Sequence, residues 1–132
     1  MSGPLEGLRV LDISTIIAAP FSGTLMSDYG AEVVKAELPG VGDGLRGFPP
    51  QRDGKSLWWK NANRNKRFIS LDLRKPEGKD LLLKMLPKFD VLLENFRPGT
   101  LDKWGLDKDT LWAACPRLVI LRATGFGQTG PY

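Results

Sequence analysis

Asn95-Phe96-Arg97-Pro98-Gly99 sets an amide, an aromatic face and a guanidinium in consecutive positions ahead of a Pro-Gly turn. An aromatic ring placed this way can cover an adenine, and an amide can satisfy the adenine's polar edge. A guanidinium suits phosphate. Phe96 also reads simply as the last core residue of a strand. Cations gather at comparable places: Arg64, Lys66 and Arg67 just before one aliphatic run, Arg74 and Lys75 just after it, Arg97 and Lys103 beyond the next. A subset could converge on phosphate groups, while each taken singly reads as a solvated charge. Gly40-Val41-Gly42-Asp43-Gly44 superficially suggests a nucleotide loop, but the dinucleotide fingerprint follows the first strand and opens a helix directly. The first turn here, Ser14-Thr15-Ile16-Ile17-Ala18-Ala19-Pro20, holds no glycine, and there is no P-loop pattern. These glycines either let a long loop bend or let it close over a ligand.

Other chemistries are narrowed by composition. The chain has no histidine and one cysteine, which removes Ser-His and Cys-His nucleophilic pairs and argues against a metal site. Cys115, beside Pro116, reads as packing. Asp12 and Glu94 fall near strand ends, where a lone carboxylate more often caps a turn than catalyses. Nineteen Lys and Arg against fifteen Asp and Glu give a formal charge of +4, compatible with anionic ligands. The cations form no stripe and no recognised nucleic-acid motif occurs, so no nucleic-acid partner is expected. No apolar run approaches the roughly 20 residues that cross a bilayer, so no membrane association is expected. The N-terminus does not resemble a signal peptide, and the single cysteine favours a reducing compartment, so a cytoplasmic location is expected.

The elements that must position these residues follow from hydrophobic periodicity. Residues 8–13, 32–37, 68–73, 90–96 and 118–123 read as five strands. Residues 19–29 read as a helix entered at Pro20 and closed by Gly30, and 56–63 as a short helix. Residues 76–89 give the clearest helix, with Leu81, Leu82, Met85 and Leu86 on one face and Lys79, Asp80, Lys84 and Lys88 on the other. A helical turn at 100–104 and a helix at 108–114 complete the set. The 132 residues fit one domain. Strands this apolar, separated by helices, predict an α/β fold: a Rossmann-like, mostly parallel sheet with helices on both faces. Ligands in such sheets gather at the carboxyl ends of the strands.

Five blocks, in order along the chain, resemble family III CoA-transferases, the group that includes acyl-CoA racemases. They are Pro4-Leu5-Glu6-Gly7-Leu8-Arg9-Val10-Leu11-Asp12; Gly30 to Glu37 with Pro39-Gly40 and Gly42-Asp43; Asn63-Arg64-Asn65-Lys66-Arg67 with Leu71-Asp72-Leu73; Glu94 to Gly99 with Leu101 and Gly105; and Thr124 to Tyr132. The resemblance implies a CoA-binding region whose contacts fall at Ile17, Ala18, Leu38, Leu71, Arg74, Asn95, Phe96 and Lys103. It implies an acyl-CoA and a small carboxylic acid as substrates, CoA entering as substrate rather than as a permanent cofactor, and an interlocked homodimer. Formyl-CoA transferase carries glutamine where Ile17 stands and arginine where Leu38 stands, so its substrate pair is not carried over. Lys103 replaces an arginine, keeping charge without the bidentate fork. The family's catalytic aspartate lies a little beyond the fifth block. The resemblance therefore implies that residues 1–132 hold the N-terminal CoA-binding part and no catalytic residue. The chain alone is expected to show no turnover, weak or no CoA binding, and a tendency to associate. A racemase, or a non-catalytic module binding CoA or another nucleotide, is the alternative.

Overall fold

Short aliphatic runs bounded by glycine, proline and charge build the strands, and the helices between them set the strands parallel. The structure, a computed structural model, describes residues 3–131, so Met1, Ser2 and Tyr132 lie outside the described residues. In chain order the elements are β1 (Arg9–Asp12), α1 (Ala18–Asp28), β2 (Glu32–Glu37), β3 (Gln51–Arg52), β4 (Lys55–Ser56), α2 (Leu57–Ala62), β5 (Arg67–Ser70), α3 (Pro76–Met85), β6 (Val91–Glu94), α4 (Thr100–Lys103), α5 (Lys108–Ala114) and β7 (Val119–Arg122). Five strands form one parallel sheet in the order β5-β2-β1-β6-β7. Its register sets Leu11 beside Val34 and Leu92, and Leu92 beside Ile120. Among the described residues no helix is long and apolar enough to cross a membrane.

Alternation along the strands feeds two cores. Leu11, Ile13, Ala36 and Leu92 pack with Leu82 of α3 and Leu111 of α5. Val10, Val33, Val91 and Leu93 point the other way, where Met26 of α1 packs against them. The sheet is therefore flanked by helices on both faces, as the apolar strands require. Each fully buried leucine, such as Leu11, Leu82 or Leu92, contributes about 1.5–3 kcal/mol of transfer free energy.

Helix α1 lies on the sheet by its smallest side chains. Ala19, Pro20, Gly23, Thr24 and Ser27 are buried, whereas Phe21 and Leu25 face outward. A Cβ at Gly23 would stand 3.0 Å from a Leu93 methyl carbon and 3.5 Å from the Lys66 ammonium, so glycine sets how closely the helix approaches. Gly30, at φ 102°, ends α1 in the left-handed conformation expected of a helix stop.

Several expectations are corrected. Leu81 is 49% exposed; the buried stripe of α3 runs through Gly78 and Leu82, with Leu86 beyond. One residue is a 100° rotation, which carries Leu81 off that stripe. The helix ends at Met85 and passes into a 3₁₀ turn, Leu86–Lys88, because Pro87 has no N–H to donate. The third strand of the sheet stops at Ser70, leaving Leu71, Asp72 and Leu73 beyond its carboxyl end. The unforeseen β3–β4 hairpin turns at Asp53 and Gly54, both at positive φ (53° and 69°), the Asp-Gly signature of a type I′ turn.

Candidate functional site

Strand order reverses on either side of β1, so the carboxyl ends of β1 and β6 diverge around a crevice, the usual ligand position in an open α/β sheet. The turn that leaves β1 at this crevice is held residue by residue. Ile13 N–H donates to the Leu93 carbonyl at 3.0 Å, the last main-chain rung between the two strands. Ser14 N–H donates to Asp12 Oδ1 at 3.0 Å. Thr15 N–H donates to Asn95 Oδ1, and Asn95 Nδ2 donates back to the Thr15 carbonyl, both at 2.8 Å. Ile16 N–H donates to Asp43 Oδ1 at 3.0 Å. Three consecutive N–H groups are thus received by side chains from three different segments. The Asn95 amide, expected at an adenine edge, spends one donor and one acceptor on this clamp.

Beneath the turn lies a buried ionic lattice. Asp12 and Asp43 face Lys35 and Lys66, and all four side chains are within 1% of full burial. Lys35 Nζ donates to the Ser14 carbonyl at 2.6 Å and stands 3.1 Å from Asp43 Oδ2 and 3.7 Å from Asp12 Oδ2. Lys66 Nζ donates to Asp12 Oδ2 (2.9 Å), the Pro20 carbonyl (2.6 Å) and Asn63 Oδ1 (3.0 Å). Burial pulls the Lys66 ammonium below its ordinary pKa, and the Asp12 carboxylate opposes this. Two positive and two negative charges, with nearly every donor satisfied, make burial tolerable. Lys66 is therefore unavailable to a phosphate. Its neighbours in sequence are also engaged: Arg64 pairs with Asp28, and Arg67 pairs with Glu32 at 2.8 Å.

The glycine segment after β2 is pinned to this lattice. Asp43 also accepts Leu45 N–H at 2.8 Å, and Leu45 is fully buried. Glu37 accepts Asp43 N–H at 3.2 Å and Arg46 Nε at 2.7 Å. The Arg46 guanidinium carbon lies 3.6 Å from the Trp59 ring centre, a cation–π contact. Of the two readings of these glycines, the bend is the one this geometry carries.

A cleft of about 200 Å³ opens beside the lattice. Leu38, Leu71, Arg74 and Phe96, four of the residues expected at the site, line it together with Leu73 and Trp104. Phe96 and Trp104 meet edge to face with ring centres 5.1 Å apart. Phe96 N–H donates to Glu94 Oε2 at 2.7 Å, and Arg122 Nε lies 3.4 Å from the other carboxylate oxygen. Burial nevertheless raises the Glu94 pKa, with the Phe96 N–H and Arg122 pulling against it. Ile17 and Ala18 sit at the start of α1, where no side chain caps the helix and no acidic residue occupies the first turn. Lys103 is exposed on α4. These three and Asn95 do not line the cleft. Cys115 is buried in the core, as its packing role requires. Lys35, Thr15 and Trp104 escaped the sequence reading. The signal for Lys35 was present, since a lysine between Val34 and Ala36 in a sheet covered on both faces must be buried and must find a carboxylate.

Arg74 is preset by a fork. Its Nε and Nη2 each donate to an Asp72 carboxylate oxygen at 2.8 Å. These hydrogen bonds hold the Asp72 pKa at about 2, below the ordinary 3.8. Because the folded value is the lower one, the pair's contribution is full above pH 3.8 and fades as pH falls toward 2. In an NMR titration the Asp72 carboxyl midpoint should lie near 2, and Arg74→Gln should move it up toward 3.8. A midpoint unmoved by that substitution would show that the fork is absent in solution.

The sequence matches CoA-transferase family III from residue 5 to residue 132. The chain belongs to this family. It is 50% identical over 130 residues to the succinyl-CoA–D-citramalate CoA-transferase of Chloroflexus aurantiacus, covering 98% of this chain and 32% of that protein. It is 41% identical over 129 residues to the acetyl-CoA:oxalate CoA-transferase of Acetobacter aceti, covering 98% of this chain and 33% of that one. A solved structure, a CAIB/BAIF family protein from Brucella suis, superposes with a TM-score of 0.91 at 40% identity, covering 100% of this chain and 36% of that chain. The chain thus spans about a third of the length of these family members. Family membership accounts for the parallel sheet flanked by helices.

Proposed function

We propose that residues 1–132 form the CoA-binding part of an enzyme that moves CoA from an acyl-CoA to a small carboxylic acid. The observation that carries this reading is the cleft at the reversal of strand order, with an apolar wall of Leu71, Leu73, Phe96 and Trp104 beside a preset guanidinium, in a chain of this family. The adenine would lie against Phe96, with phosphates near Arg74 and Lys103. The pantetheine arm would run toward the main chain of Ile17 and Ala18. Relatives are named for succinyl-CoA, D-citramalate and oxalate, which supports a short dicarboxylic acid as acceptor.

In this reading a carboxylate outside the CoA-binding part carries the covalent chemistry. An aspartate attacks the thioester carbonyl and the C–S bond breaks, releasing CoA thiolate and leaving a mixed anhydride. The thiolate then attacks the enzyme's carbonyl of that anhydride and frees the donor acid as its carboxylate. The acceptor carboxylate attacks the resulting enzyme–CoA thioester and releases the thiolate. CoA adds to the new anhydride at the acceptor's carbonyl, and the aspartate is regenerated. Charges within the CoA-binding part bind and orient; Asp12, Asp43 and Asp72 are each committed to a partner cation.

Calorimetric titration of the chain with CoA, at protein concentrations suited to a weak site, tests the assignment. Saturable heat is expected. Phe96→Ala should weaken binding by about 1–3 kcal/mol through lost base stacking. Lys103→Ala should weaken CoA binding more than dephospho-CoA binding. Equal affinity for the two ligands, untouched by either substitution, would reject the site.

A further inference from the structure

Ile16 is β-branched yet has φ 65°, a left-handed conformation that such residues avoid on steric grounds. It stands directly before Ile17, the N-cap of α1, so its dihedral angles set where the first-turn main chain points. Residues held in sparsely populated backbone regions persist only where the surroundings over-determine them. Asp43 is the surrounding group. Its carboxylate lies 3.0 and 3.1 Å from Ile16 N through its two oxygens, and it is itself anchored by Lys35 at 3.1 Å and Leu45 N–H at 2.8 Å. Among the described residues no side chain accepts a hydrogen bond from Ala18 or Ala19 N–H, and Pro20 has none to give. The first-turn donors that follow the strained residue therefore have no side-chain acceptor.

We infer that Asp43 is a positioning residue for the CoA site: it clamps Ile16 in its left-handed turn and so aims the Ile17–Ala18 main chain at the ligand. The inference rests on the CoA-binding reading above. It gives the glycine segment a purpose that the sequence left open, since Gly42, at φ 73°, leads the chain back so that Asp43 reaches under the first turn. A Cβ at Gly42 would stand 2.9 Å from Glu37 Oε2, so the return is also a close fit.

Three variants of the chain test it. Asp43→Asn keeps the shape, but its single amide oxygen cannot serve Ile16, Leu45 and Lys35 together. CoA affinity should fall about tenfold, the size of effect that losing one charge-assisted hydrogen bond produces. Amide exchange at Ile16 should quicken by a similar factor. Asp43→Asn combined with Ile16→Gly should regain most of that affinity, because glycine adopts positive φ without a clamp. A general weakening of the fold would not be rescued by adding glycine. Ile16→Gly alone should raise the melting temperature, since relief of strain exceeds glycine's entropic cost.

Undiminished CoA affinity in Asp43→Asn, or a double variant no better than the single one, would overturn the inference. A melting temperature lowered by Ile16→Gly would overturn it as well. If the unmodified chain gives no heat with CoA, it is the binding assignment that fails for this chain. The clamp is then decided by Ile16 amide exchange in Asp43→Asn and by the melting temperature of Ile16→Gly. Should Asp43→Asn not fold, the Ile16→Gly melting temperature decides alone.

Discussion

Replacing Lys35 by methionine should destabilise the chain by about 3–5 kcal/mol, a large share of the roughly 5–15 kcal/mol that holds a domain together. Methionine matches the lysine stem in length and shape, so the packing loss is small. The cost comes from charge. Lys35 is fully buried, and its removal leaves Asp12 and Asp43 sharing Lys66 alone, which touches only Asp12. One carboxylate is then buried without a counterion, and the Ser14 carbonyl loses its donor. Urea unfolding followed by circular dichroism measures this directly. Adding Asp43→Asn restores neutrality and should recover part of the loss, a coupling that a double-mutant cycle reads. A single variant within about 1 kcal/mol of the parent would show that water or another cation reaches this site.

Gly78→Ala should also be destabilising, by about 1–3 kcal/mol or more, although alanine favours a helix interior over glycine by about 1 kcal/mol. Propensity and geometry predict opposite signs, and geometry decides. A Cβ at this position would stand 2.7 Å from the Asp72 carbonyl carbon and overlap its oxygen. Both are main-chain atoms and cannot swing aside as the end of a side chain could. Either α3 lifts away from the chain leaving β5, or Asp72 and Leu73 move. Both belong to the cleft wall, and Asp72 holds Arg74, so the substitution should weaken CoA binding along with stability. Denaturant unfolding that shows Gly78→Ala more stable than the parent would mean that α3 sits farther from the sheet.

The sheet was legible because each strand carries a short apolar stretch, so periodicity and glycine or proline punctuation fall together at Gly30 and at Pro76. Leu81 was misassigned because five apolar residues within a six-residue window allow two overlapping stripes, and packing selects the one running through Gly78. The β3–β4 hairpin was hidden by polar flanks, and only Asp53-Gly54 announced it. At the site, residues recognisable by type at strand ends, such as Arg74 and Phe96, proved to share a cleft. The lattice beneath them was harder to see. Lys35, Lys66, Asp12 and Asp43 are far apart in sequence and typical of surfaces, and nothing local says that they neutralise one another. The cations near residue 65 illustrate this difficulty: their types suit phosphate, but Asp28, Glu32 and Asp12 take them up.

The Asn95–Thr15 pair has a geometric consequence. A side-chain amide that accepts from a main-chain N–H and donates to the same residue's carbonyl satisfies both main-chain groups of that residue, as a neighbouring strand would. The ladder between β1 and β6 therefore continues one step past its last main-chain rung at Ile13, with a side chain as the spacer. The two strands can spread there without leaving Thr15's polar groups unpaired, and the length of an asparagine fixes how far. Glutamine would widen the opening by one methylene. Aspartate would turn the donating half of the pair into a repulsion against the Thr15 carbonyl. Asn95 is in this sense the gauge of the crevice, setting its width as a shim sets a gap.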